Sequence, residues 1–374
     1  MKGDTHILVL GAYGLAGRAI VERLAARTTH SVVAAGRRAD KLQALLKAIG
    51  SDRVHALVLD ATDVSALRDA CSNAAFVINA VGPFARSGAA IARTAVECGR
   101  PYLDCANEQF HYRNLLGLDA SARRQGVPII TAAGGVPGLS TLLTAHLLKG
   151  FPAAAEVDCC WAQFRHAYAD SGLASMMGGL LEAVDRPVAL RGGKPAPIVI
   201  GRSVRQFGLP EPFGRKRLLE VPTIDDLTIP GRFPLQEFHT WFYMGDLPTW
   251  LLEIVRLLQP NRRPWAYRLI EAVMRRINDR DTAKAIAAGI GPECLLQVLA
   301  RSSGESESQS LMFRDGAVAT ACLPAYIADH CLRGEVPQTG LLTPLDLIDT
   351  ERLPEITDGA LMFQQLAASP SGMG

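Results

Sequence analysis

The sequence predicts an α/β fold: a doubly wound parallel sheet at the N-terminus, followed by a second, α+β domain. Two observations carry this. Apolar strand patterns and amphipathic helix patterns alternate with short joins up to about Phe151, and such alternation builds a parallel sheet covered on both faces. Beyond that point the pattern becomes less regular, as expected where a second architecture begins.

The first strand is the apolar run His6–Leu10, and the turn after it is Gly11-Ala12-Tyr13-Gly14-Leu15-Ala16-Gly17, leading into the helical pattern Arg18–Leu24. A strand, a glycine turn and a helix start in that order form a diphosphate cradle. The glycines allow close approach, and the helix start offers free N–H groups and a positive dipole end. The spacing G-x-x-G-x-x-G is one residue longer at its first gap than the common dinucleotide fingerprint, and a plain strand-to-helix turn is the alternative reading. Placement directly after a strand favours the cradle, hence a Rossmann-type sheet. The second strand, Ser31–Ala35, ends in Gly36-Arg37-Arg38. NAD-preferring sites usually carry an acid here for the ribose hydroxyls; two arginines instead suit the 2′-phosphate of NADP, so NADP is expected over NAD. A solvated basic turn before the helix Asp40–Leu46 is the other possibility.

Further strands are predicted at Val54–Asp60, Phe76–Val81, Tyr102–Cys105 and Pro128–Ala132, and helices at Ser65–Cys71, Ser87–Cys98, His111–Arg124 and Pro137–Lys149. Ligands of such sheets sit outside the carboxyl ends of the strands. Those ends carry Asp60 and Ala61, where the carboxylate either meets an adenine amino group or caps the next helix. They also carry Asn79, Ala80, Val81, Gly82 and Pro83, where Gly82 and Pro83 are expected to fix the backbone beside the nicotinamide ribose with Phe84 packing over the cleft, a plain Gly-Pro turn being the alternative. Tyr102–Glu108 and the glycine-rich start at Gly134 complete the edge.

Composition excludes other classes. The 39 basic and 37 acidic residues give no field that would favour nucleic acid. The eight cysteines form no C-x-x-C pair and suit a reducing, cytoplasmic setting. With a strand read within the first few residues no signal peptide is expected, and with no long apolar run no membrane span is expected. Sequences for a nucleophile elbow, a zinc protease helix and a Walker loop are absent, as is a Tyr with Lys four positions on.

The loop Gly11–Gly17, the Gly36-Arg37 turn, Asn79–Phe84, Tyr102–Glu108 and the start at Gly134 together resemble the saccharopine dehydrogenase-like oxidoreductases. Arg314-Asp315-Gly316 with the helix Ala317–Leu332, then Gly334–Pro337 and Thr339–Pro344, are similar to that family's closing segment. The resemblance covers roughly the first 150 and the last 60 residues and is weak between. It implies a phosphate cradle at the glycine loop and a 2′-phosphate ligand in Arg37. It also implies a mixed-sheet second domain with dimer contacts, hence a homodimer, and C-terminal helices returning to the first domain. The expected boundaries are 1–152 for the dinucleotide domain, 153–313 for the substrate and dimerisation domain, and 314–374 for a helical segment packing back. Strands are read at Glu156–Phe164 and Gln236–Met244, a hairpin at Glu293–Arg301 and Ser308–Phe313, and a frayed tail at Ala367–Gly374.

For proton handling the candidates are Asp104 and Glu108 at the fifth strand end, and His166 with Tyr168 before a predicted helix Ala174–Val184. Capping and loop hydrogen bonding are their structural alternatives. Two amphipathic patterns, Leu247–Leu258 and Trp265–Ile277, read as a helical hairpin. A lid over a greasy substrate, or peripheral membrane contact through 247–278, is the sharper alternative. The expected cleft loops contribute Arg86 and His111 as their clearly basic side chains, with Arg165 from the second domain, among many apolar residues. A substrate rich in carboxylates, saccharopine included, is therefore not expected; a relatively apolar carbonyl, imine or activated alkene is. The competing function is a non-catalytic dinucleotide-binding redox sensor or scaffold.

Overall fold

The computed structural model describes residues 6–163, 187–200, 202–243, 257–258, 263–287, 289, 293–358 and 361–366. They form two compact units, one of residues 1–139 and 317–349, the other of residues 140–316 and 350–374.

The first unit is built on β1 (His6–Leu10), β2 (Ser31–Gly36), β3 (Val54–Val58), β4 (Ala74–Asn79), β5 (Tyr102–Asp104) and β6 (Pro128–Ile130). These strands and a seventh, Gly340–Leu342, pair in the order β3-β2-β1-β4-β5-β6-(Gly340–Leu342), every pair parallel. Parallel strands need crossovers, supplied by α1 (Leu15–Arg27), α2 (Ala39–Ile49), α3 (Val64–Asn73), α4 (Phe84–Glu97), α5 (Gln109–Leu116) and α6 (Asp119–Gln125). The central strands are apolar without alternation, Ile7–Leu10 and Phe76–Ile78 being almost fully buried, because helices cover both faces. The strand order reverses between β1 and β4, and that switch point opens a crevice at the carboxyl ends.

One predicted helix is two. His111–Arg124 divides into α5 and α6 at Gly117-Leu118. Glycine is a poor helix former, Leu118 turns into the core, and Asp119 starts the second helix while accepting a hydrogen bond from the Leu341 N–H at 2.7 Å. A helix expected from Pro137 begins at Leu139, because Gly138, at φ 121°, folds against the carbonyl of Gly134. We name this helix α7 (Leu139–Gly150).

The second unit holds a nine-stranded sheet. Its strands are β7 (Glu156–Gln163), β8 (Val188–Arg191), β9 (Lys194–Pro197), β10 (Val204–Gly208), β11 (Arg215–Glu220), β12 (Glu237–Phe242), β13 (Cys294–Arg301), β14 (Ser306–Phe313) and, with Gly340–Leu342 taking the label β15, β16 (Leu361–Leu366). The order is β10-β11-β12-β7-β13-β14-β16, with β8 on β12 and β9 on β8. Among the described residues only β12 with β7 is parallel, so the sheet is mixed. Phe207, Phe213, Leu218, Trp241 and Leu295 pack together on one face of it.

The C-terminal segment corrects the expectation of a single helical piece returning to the first domain. The helix Gly316–Leu332 and β15 lie with the first unit, whereas β16 pairs antiparallel with β14 in the second. Both strands cover the unpaired N–H and C=O groups that β6 and β14 would otherwise expose at a sheet edge. No helix among the described residues is long and apolar enough to cross a membrane. The expected helix Ala174–Val184, most of Leu247–Leu258 and the tail Ala367–Gly374 lie outside the described residues.

Candidate active site at the carboxyl edge of the first sheet

The register sets Leu10 opposite both Ala35 and Asn79. The turns after β1, β2 and β4 therefore leave the sheet side by side. In the first turn Gly11 has φ 75°, and a Cβ there would come 2.8 Å from the carbonyl oxygen of Ala80. At Gly17, inside α1, a Cβ would meet the carbonyl oxygen of Gly11 at 2.2 Å. The glycines thus let α1 start directly on the loop, as a phosphate cradle requires. Gly14 is the N-cap and contributes no side-chain hydrogen bond, so the first-turn amides, including those of Leu15 and Ala16, face outward at the positive end of the helix. This turn, where the backbone packs too closely for side chains at Gly11 and Gly17 and leads into a helix N-terminus, suits a dinucleotide diphosphate.

At the end of β2 the two arginines separate. Arg38 forks onto Asp40, Nε to Oδ1 at 3.0 Å and an η nitrogen to Oδ2 at 2.6 Å. Arg37 is exposed and forms no side-chain hydrogen bond or ion pair among the described residues; the charge it acts on is Asp60. Arg37 is thus the guanidinium without a side-chain partner among the described residues, whereas Arg38 is engaged with Asp40 in an exposed pair. Tyr13 lies against Gly36, with the Lys41 ammonium 5.7 Å from its ring centre. Asp60 accepts from the backbone N–H and hydroxyl of Thr62, holding the turn at Ala61. Capping of α3 falls instead to Asp63, which accepts from the Ser65 and Ala66 amides.

The β4 and β5 ends are tied by a buried polar network. Asn79 donates to the Tyr102 hydroxyl at 2.9 Å and accepts from the Val81 N–H at 2.9 Å, fixing Ala80 and Val81. Gly82 and Pro83 then lead into α4, whose N-cap Pro83 has no capping side chain. Glu108 supplies the acceptor from another loop. Its Oε1 accepts from the Phe84 N–H at 3.1 Å and its Oε2 from the Asn107 N–H at 3.1 Å. Burial pushes the Glu108 carboxyl above its ordinary value, against these hydrogen bonds.

Asp104 has no exposed surface. It accepts from Thr131 Oγ1 at 2.7 Å and the Ala106 N–H at 3.1 Å, and lies 2.7 Å from His111 Nε2. Burial works against its charge, yet His111 and the other donors hold it below the usual carboxylate range. Burial likewise disfavours charge on His111, but Asp104 raises it. His111 is fully buried, its Nδ1 has no hydrogen-bond partner among the described residues, and it packs against Phe84 and Gly88. Asp104 is thus enclosed by protein groups, whereas Glu108 is half-buried. His166 and Tyr168 lie outside the described residues.

Sequence reasoning missed Thr131 and the backbone of Ala132, a buried alanine at φ 59° just past β6. A left-handed alanine costs of order 1 kcal/mol and clusters at ligand sites, and no residue-type signal marks it. Polar Asn79, Tyr102 and Thr131 at the ends of apolar strands were the available clue to the network.

With this geometry in place, residues 7–130 match the family described as the saccharopine dehydrogenase NADP binding domain. A trans-acting enoyl reductase of Mycobacterium ulcerans is 27% identical over 198 residues, spanning 50% of this chain and 47% of the relative. A saccharopine dehydrogenase-like oxidoreductase of Mus musculus is 27% identical over 170 residues, 40% of each chain. This chain thus aligns with less than half the length of either relative. Among solved structures, saccharopine dehydrogenase (L-Glu forming) from Saccharomyces cerevisiae has TM-score 0.64 at 15% identity, covering 97% of this chain and 100% of that one, a likeness of fold.

Proposed function

We propose, for a chain that belongs to the saccharopine dehydrogenase-like oxidoreductases by its NADP-binding domain, that it is an NADP-dependent reductase or dehydrogenase of a relatively apolar carbonyl, imine or activated alkene. Arg37 is the observation that carries the cofactor preference: an exposed guanidinium at the β2 end, where an acid would select NAD, with its neighbour Arg38 already neutralised by Asp40. The Gly11–Gly17 amides hold the diphosphate, and Asn79–Pro83 line the nicotinamide end. When bound, the cofactor supplies a two-electron carrier.

The substrate class follows from what the edge offers. Of the basic side chains expected to meet a substrate carboxylate, His111 is buried against Asp104, which leaves Arg86 on these loops. Val81, Pro83 and Val136 are half-exposed there, and Phe110 is exposed. Several carboxylates would stay unpaired in such surroundings, at a cost of a few kcal/mol each. A relative carrying the name enoyl reductase supports the same direction. Glu108, with its elevated carboxyl, holds the proton, and Asp104 with His111 positions its loop.

Binding titrations with NADPH and NADH, followed by NADPH oxidation across a panel of enoyl, carbonyl and imine compounds with saccharopine included, test this. Arg37→Ala should weaken NADPH by about 1.5–3 kcal/mol, roughly ten- to a hundredfold, and spare NADH. Equal loss of both cofactors refutes the 2′-phosphate role. Efficient turnover of saccharopine refutes the substrate class, and tight binding without turnover across the panel favours a sensor.

A further inference from the structure

The helix Pro264–Ala287 of the second unit packs through Ala266 and Ile270, which are buried, with Ile277 half-buried behind them. Its other side should then be polar. Instead Trp265, Leu269 and Val273 are 57%, 51% and 40% exposed. Four residues apart, they form one line on the surface, with exposed Ala272 beside it. Single exposed apolar residues need no explanation; a contiguous line marks an interaction surface.

Charge on the same exposed side selects the occupant. Arg268, Arg276, Arg280 and Lys284 are exposed there, against Asp279, and Arg263 is exposed just before the helix. A second copy would bring the same cations against these, which is unfavourable. A negatively charged plane meets both features at once: the apolar line enters it while the cations stay level with its charges. Long basic side chains carry their charge outward on apolar stems, and tryptophan suits such a boundary. We propose that this face rests on an anionic lipid surface, with Trp265, Leu269 and Val273 at the boundary of headgroups and acyl chains and the cations against lipid phosphates. The proposal is independent of the redox reading.

Flotation of the whole chain with vesicles of phosphatidylcholine alone, and of phosphatidylcholine with phosphatidylglycerol, tests it. The protein should float with the anionic vesicles about tenfold more strongly than with the neutral ones, and raised salt should weaken this. The double variant Trp265→Ser, Leu269→Ser should lose roughly tenfold or more in vesicle binding. Arg276→Ser with Arg280→Ser should lose the preference for anionic lipid. All four side chains are exposed, so melting temperature and NADPH binding should stay as in the parent, which separates lost contact from lost fold. Three results overturn the proposal. One is no flotation with either vesicle. Another is flotation that both double variants retain in full. The third is a dimer in sedimentation that Trp265→Ser, Leu269→Ser converts to monomer while vesicles bind neither form, which would assign the face to a second copy.

Discussion

Asp225→Asn should change how stability depends on pH. Asp225 lies at the start of α7, fully buried, and accepts from the hydroxyls of Ser140 and Thr141, both at 2.5 Å. Burial raises its carboxyl to about 6, despite those two hydrogen bonds. Its folded value therefore lies above the ordinary 3.8, and the folded state prefers the protonated form. The associated stability is complete below the unfolded value and disappears as pH rises through the folded one. The gap corresponds to about 3 kcal/mol, developing between about pH 4 and pH 7. Asparagine cannot ionise; it keeps one acceptor, and its amide can donate to the other hydroxyl, for a loss near 1 kcal/mol. Relative to the parent, the variant should thus gain about 3 kcal/mol on going from about pH 4 to pH 7.5. Urea unfolding at the two pH values, followed through buried Trp161 and Trp241, measures it; carboxyls common to both proteins cancel except Asp226, which the Asp225 charge helps to raise and which therefore shifts the difference in the same direction. A variant-minus-parent difference that is the same at both pH values would refute the argument.

Other substitutions probe the first sheet edge. Gly17→Ala places a methyl 2.2 Å from the Gly11 carbonyl oxygen. The loop must move, so NADPH affinity should fall at least about tenfold with helix content retained; unchanged affinity would remove the phosphate from this turn. Glu108→Gln keeps an acceptor for the Phe84 amide but cannot titrate. If Glu108 is the acid, parent activity declines as pH rises through its elevated value. The variant should then lose about 10²–10⁴ in kcat together with that limb of the profile; an unaltered profile leaves Glu108 as a helix cap only. Gly88→Ala sets a methyl 2.5 Å from the His111 ring and should cost about 1–3 kcal/mol in thermal unfolding, so an unchanged melting temperature would contradict the packing of that ring.

Local rules in the chain were enough for the α/β class, for the glycine turn directly after β1 and for the basic end of β2. Strand periodicity, glycine spacing and the lack of an acid are properties of a few consecutive residues, and backbone sterics translate them directly. Even the break at Gly117 was written there as a poor helix former, though the apolar pattern runs through it. What tertiary structure decided is which polar groups are used up. Arg37 and Arg38 are the same residue type side by side, and Asp40 pairs with one of them and not the other. Asp104 ends β5 and Glu108 follows it four residues on, yet His111, Thr131 and full burial enclose the first, while the second reaches the start of α4. The division of the C-terminal segment between β6 and β14 also depends on which sheet edges stand open, a relation between residues about two hundred and about fifty positions apart, respectively. Burial and hydrogen-bond partnership arise only when distant segments meet, and they fix the charge and reach of each side chain at the candidate site.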